Sequence, residues 1–108
     1  MTDLYQDPAP TRADVDAIAD ALVIEFGAPW CGHCQGAQPL IRQAFAAYPA
    51  LRHLKIEDGR GKPLGRSFQV KLWPTLIFLK GGKELARVVR PAEIEELTSA
   101  LTLLAAGA

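Results

Sequence analysis

The chain has 108 residues, 49% of them hydrophobic, enough for one packed core and too few for a second domain. Twelve basic residues balance twelve acidic ones, with neither sign gathered into a block, so neither nucleic acid nor an anionic membrane surface is expected as a partner. Apolar runs such as those at 21–24 and 76–79 fall far short of the roughly 20 residues that a membrane-spanning helix needs.

Residues 1–10 hold two prolines and little apolar periodicity. They read as an irregular lead-in to a domain over 11–106, with a short edge strand at 4–6. No basic stretch followed by an apolar run marks a secretory signal, so a cytoplasmic protein is expected. Thr11 is a suitable N-cap, and Val15, Ile18 and Leu22 fit one helical face, which predicts a short helix over 12–20. The β-branched-rich run Leu22-Val23-Ile24-Glu25-Phe26, stopped by Gly27-Ala28-Pro29, predicts a strand buried on both faces.

Beyond the cysteines, Ala37, Leu40, Ile41, Ala44, Phe45 and Tyr48 recur at helical spacing, with Pro39 interrupting, so one long helix kinked near Pro39 is expected. A second strand at 51–56 then requires a right-handed crossover and a parallel pair. Residues 59–69 suggest a short helix of uncertain bounds. Strands at 75–79 and 84–89 flank Lys80-Gly81-Gly82-Lys83, whose paired glycines suit a tight antiparallel hairpin. Pro91 suits a first helical position, and Ile94, Leu97, Leu101 and Leu104 form the apolar stripe of a closing helix. The order gives an α/β fold with a mixed four-stranded sheet flanked by helices.

The two cysteines, Cys31 and Cys34, are the only ones and stand two residues apart. A structural staple usually closes a long loop, so a lone C-x-x-C in a chain with an adequate core points to redox chemistry. Cys31 falls beyond the end of the buried strand and at the mouth of a helix, where unpaired N–H groups and the helix dipole favour a thiolate. Cys34, one turn on, is placed to attack a mixed disulfide formed at Cys31. Structural zinc is a weak competitor: two further ligands are needed, and besides carboxylates only His33 and His53 remain. His53 has no motif around it and reads as structural.

Glu25-Phe26-Gly27-Ala28-Pro29-Trp30-Cys31-Gly32-His33-Cys34 resembles the active-site stretch of the thioredoxin family. The likeness extends from about Leu22 to Leu101 through Pro39, Trp73-Pro74-Thr75 and the Gly81-Gly82 hairpin. It implies a thioredoxin-like fold and a protein-disulfide reductase working through the Cys31/Cys34 dithiol. It implies no bound cofactor, with electrons arriving from NADPH through a reductase, or from glutathione. Disulfide-containing proteins are the implied substrates, and a monomer is expected.

Residue by residue, the resemblance implies a cis Trp73-Pro74 bond beside the cysteines, with Trp73, Pro74 and Thr75 shaping a docking groove. Glu25 matches the buried acid that relays a proton for the second cysteine, although an aspartate is more familiar there; Lys55 matches the family's buried lysine. Independently, a carboxylate inside an apolar strand needs a partner or a proton. Trp30 would offer substrate an apolar face, and Gly32 and His33 would line its path. The Gly32-His33 pair is closer to protein disulfide isomerase than to common reducing thioredoxins, Trp73 replaces a small aliphatic residue, and Arg90 stands where those thioredoxins usually carry glycine. Two alternatives therefore stay open: a disulfide-forming or isomerising enzyme on the same scaffold, and a binding module that uses the Trp30, Trp73 and Pro74 surface.

Overall fold

The computed structural model describes residues 4–106. In chain order it contains α1 (Arg12–Asp16), β1 (Ala21–Gly27), α2 (Gly32–Phe45), β2 (Arg52–Glu57), α3 (Pro63–Ser67), β3 (Thr75–Lys80), β4 (Lys83–Val89) and α4 (Ile94–Ala105). The strands form one sheet in the order β2-β1-β3-β4. β1 pairs parallel with β2 and antiparallel with β3, and β3 pairs antiparallel with β4.

Because successive side chains of a strand face opposite ways, β1 feeds two cores. Val23 joins Ile41, Phe45, Phe78, Leu97 and Leu101 on the side covered by α2 and α4. Leu22, Ile24 and Phe26 join Val15, Leu64 and Phe68 on the side covered by α1 and α3. Each large apolar side chain so buried contributes about 1.5–3 kcal/mol. Glu25 has the parity of Val23 and lies on the α2 side of the sheet, 1% exposed.

The hairpin turn carries φ of 58° at Gly81 and 78° at Gly82, the pair of positive values that lets two antiparallel strands meet in a two-residue turn. Three expectations need correction. α1 ends at Asp16, four residues short of the predicted stop. α4 does not start at Pro91: the Glu96 carboxylate accepts from the backbone N–H groups of Ala92 and Glu93 at 2.7 and 2.9 Å, which sets the first turn at Ile94. The N-terminal edge strand expected at 4–6 contracts to one parallel bridge between Tyr5 and Lys55, closed by Gln6 N–H donating to the Lys55 carbonyl at 2.8 Å. The rest of that lead-in from Leu4 onward is irregular, and residues 1–3 lie outside the described residues. Among the described residues no helix is long and apolar enough to cross a membrane.

Candidate active site

β1 ends at Gly27, and three residues later the chain enters α2 with Cys31 as its N-cap. The Cys34 backbone N–H donates to Cys31 Sγ at 3.1 Å. The sulfur thus takes one of the donors a helix leaves unpaired at its start, in the position where the helix dipole favours negative charge. Both cysteines are free thiols, 6% and 2% exposed. They pack with Ala28 and are touched by Trp73. Burial, reinforced by donation to the Cys31 sulfur, pushes the Cys34 thiol up to about 12. One sulfur is therefore held as an acceptor at the mouth of the helix, and the other holds its proton.

Gly27 makes this packing possible. A Cβ there would lie 2.5 Å from Cys34 Sγ, so the strand end approaches the second sulfur more closely than any residue with a side chain allows. Behind Cys34 lies a buried polar cluster. Gln38, one turn along α2, donates through Nε2 both to the Cys34 carbonyl at 2.9 Å and to Glu25 Oε2 at 2.8 Å. Its Oε1 accepts from Lys55 Nζ at 3.2 Å, and that ammonium stands 3.9 Å from Glu25 Oε2. The Glu25↔Lys55 register of the parallel pair brings the two chains together. His53, read as structural from sequence, is the unforeseen member: its Nε2 lies 3.0 Å from Glu25 Oε1 with both side chains 1% exposed.

Tyr5 was also missed, since it lies in the lead-in. Its ring is 5.0 Å from Lys55 Nζ, and its hydroxyl is raised above the ordinary phenol value, first by burial and then by Cys34 beside it. With Cys34, Gln38 and Lys55 it lines an open pocket of about 260 Å³.

The outward side is aromatic and basic. Trp30, 72% exposed, meets Trp73 edge-on at a ring separation of 5.4 Å. The Trp73-Pro74 bond is cis. Trp73 Nε1 donates to Asp58 Oδ2 at 2.9 Å, a long-range partner no motif announces. Arg90 adopts φ of 47°, the left-handed conformation that a glycine accepts at little cost, and its Nε donates to the Trp73 carbonyl at 2.9 Å. Thr75 is buried, and its hydroxyl donates to the Leu72 carbonyl at 2.6 Å. Gly32, His33, Arg90 and Pro91 line a groove of about 690 Å³ beside the cysteines. The structure thus brings Glu25, Lys55 and Cys34 together on the inner side, and Trp30 and Trp73 together on the outer one. Among the described residues no cluster of three or more His, Cys, Asp or Glu side chains could hold a metal ion.

Fold and site define a thiol–disulfide oxidoreductase: a dithiol at the strand-to-helix corner of a mixed sheet. The family model described as Thioredoxin matches residues 8–103. A solved structure of thioredoxin 2 from Pseudomonas aeruginosa in its reduced form is 52% identical, covers 99% of this chain and 100% of its own, and superposes with a TM-score of 0.86. Thioredoxin-2 of Saccharomyces cerevisiae is 36% identical over 77 residues, 69% of this chain and 74% of that protein. Protein disulfide-isomerase of Triticum aestivum is 37% identical over 95 residues, 80% of this chain; the chain spans only 18% of that protein's length. The chain belongs to the thioredoxin family, and it is a disulfide reductase acting through its C-x-x-C dithiol.

Proposed function

We propose that the chain reduces disulfides of other proteins in two exchanges, with each sulfur in a fixed role. Cys31 thiolate attacks one sulfur of the substrate disulfide, forming a mixed disulfide and releasing the first substrate thiolate. Cys34 passes its proton to Glu25, attacks Cys31 Sγ and expels the second substrate thiolate, which leaves as a thiol after taking up a proton. The protein departs oxidised, with Cys31 and Cys34 bridged. A reductase drawing electrons from NADPH restores the dithiol, and glutathione is the other candidate donor.

The observation that carries this reading is the asymmetry of the sulfurs: Cys31 accepts a backbone N–H at the helix start, while Cys34 is buried and proton-bound. Lys55 offsets the charge of Glu25, and Gln38 holds both in register with Cys34. Trp30, Gly32, His33, Trp73, Pro74 and Thr75 form the substrate-facing side, on the domain over 11–106, in a monomer working in the cytoplasm.

The likeness to wheat protein disulfide-isomerase, together with exposed His33 in the groove, favours an isomerase as the second reading. Equilibration against a glutathione buffer separates the two. A potential close to about −270 mV supports the reductase, and one close to about −180 mV selects the isomerase. The roles of the sulfurs are tested by Cys34→Ser, which is expected to accumulate substrate proteins disulfide-linked to Cys31. Cys31→Ser is expected to capture none, and equal capture by the two variants contradicts the assignment.

A further inference from the structure

We infer that His53 is a positioning residue for the thiol exchange: it holds the Glu25 carboxylate oriented to take the Cys34 proton. The inference deepens the proposed mechanism and rests on the reading of Glu25 as proton acceptor. His53 and Lys55 are two residues apart on β2, so their side chains share a face, and the parallel register sets them opposite Val23 and Glu25. From one side His53 Nε2 lies 3.0 Å from Oε1; from the other Gln38 Nε2 donates to Oε2 at 2.8 Å.

An ionised carboxylate only accepts hydrogen bonds, so Nε2 of the imidazole must carry the hydrogen and donate it. Each oxygen then has one donor and keeps a free lone pair. The donor on Oε2 is Gln38, which also donates to the Cys34 carbonyl, so this oxygen is tied to the helix that carries the thiol, and His53 fixes the other oxygen of the carboxylate. Without the His53 bond, the buried carboxylate loses a hydrogen bond that favours its charged form. Phe45 packs on the imidazole at a ring separation of 5.1 Å.

Among the described residues, Lys55 on β2, Cys34 and Cys31 on α2, and Tyr5 on the N-terminal arm are ionisable groups beside the pair, while α4 contributes apolar Leu97, Leu101 and Leu104 to this side of the sheet. Their effects on the step are common to every His53 variant, so comparison among those variants isolates the imidazole.

The test is a stopped-flow reaction of the reduced protein with dithiobis-nitrobenzoate. Cys31 releases a first thionitrobenzoate and becomes a mixed disulfide; Cys34 then attacks Cys31 Sγ, releases the second and leaves the Cys31–Cys34 disulfide. Glu25→Gln is expected to slow only the second release. His53→Leu is expected to slow that release about tenfold at neutral pH and to move its pH midpoint upward. His53→Gln restores rate and midpoint through its amide donor, and His53→Asn, too short to reach Oε1, does not. In the Glu25→Gln background, His53→Leu changes nothing further.

If Glu25→Gln slows the release but His53→Leu or His53→Asn leaves rate and midpoint unchanged, the inference on His53 fails alone. An unaltered second release in Glu25→Gln overturns the Glu25 reading and this inference with it. Equal slowing by His53→Leu in both backgrounds also overturns it, because the effect then does not pass through the carboxylate. Should His53→Leu not fold, the Gln and Asn variants decide, and equal rates for those two count against the proposal.

Discussion

The two sides of the C-x-x-C pair are built on different principles. Outside, Trp30 is largely exposed, and the groove beside the cysteines is lined by Gly32, His33, Arg90 and Pro91. Inside, Cys34, Gln38, Glu25, His53 and Lys55 are linked in a chain of contacts of 2.8–3.9 Å. Every buried side-chain nitrogen and oxygen among the described residues has a hydrogen-bond partner. Buried polar groups are costly when only partly satisfied, so the inner side has little freedom to vary. In the proposed mechanism, specificity belongs to the outer surface and proton handling to the inner network.

The largest expected effect comes from pressing on the inner side. Gly27→Ala places a methyl carbon 2.5 Å from Cys34 Sγ. Overpacking of this kind costs about 1–3 kcal/mol, and here it also displaces the second sulfur. Chemical denaturation and disulfide turnover should both show the loss, with turnover falling further than stability alone explains. Unchanged turnover would mean that the close approach of strand and sulfur is incidental.

A smaller effect follows from the proton on Cys34. Its thiol is raised from 9.0 to about 12 in the folded protein, so between those values the unfolded chain releases a proton that the folded chain keeps. Stability of the reduced protein is then complete below about pH 9 and is lost as pH rises toward 12. The oxidised protein has no Cys34 thiol and lacks this contribution. Melting curves of both forms across that range should diverge with rising pH, and parallel curves would remove the buried, proton-bound thiol from the account.

The same division explains what could be read from the amino-acid order. The order of strands and helices was legible because it rests on local signals: the β-branched run of β1, the paired glycines before β4, the apolar stripe of α4. Boundaries failed where a side chain decided them, as when Glu96 captured the N–H groups ahead of α4 and moved its start from Pro91 to Ile94. Cys31 and Cys34 announce themselves by spacing, and Glu25 by being charged in an apolar strand. His53, Tyr5 and Asp58 carry no such mark. Each meets its partner across a distance in sequence that only the parallel register, the Tyr5 bridge or the path of the loop before α3 establishes. One signal for His53 was present: its period-two spacing from Lys55 on a strand paired with the one that buries Glu25.

The difference between the two sulfurs is the claim on which the rest depends. Brief treatment of the reduced protein with iodoacetamide at neutral pH, followed by peptide mass analysis, measures it directly. Alkylation is expected almost wholly at Cys31, with Cys34 modified only as the pH is raised far into the alkaline range. Equal labelling at neutral pH, or labelling of Cys34 first, would contradict it.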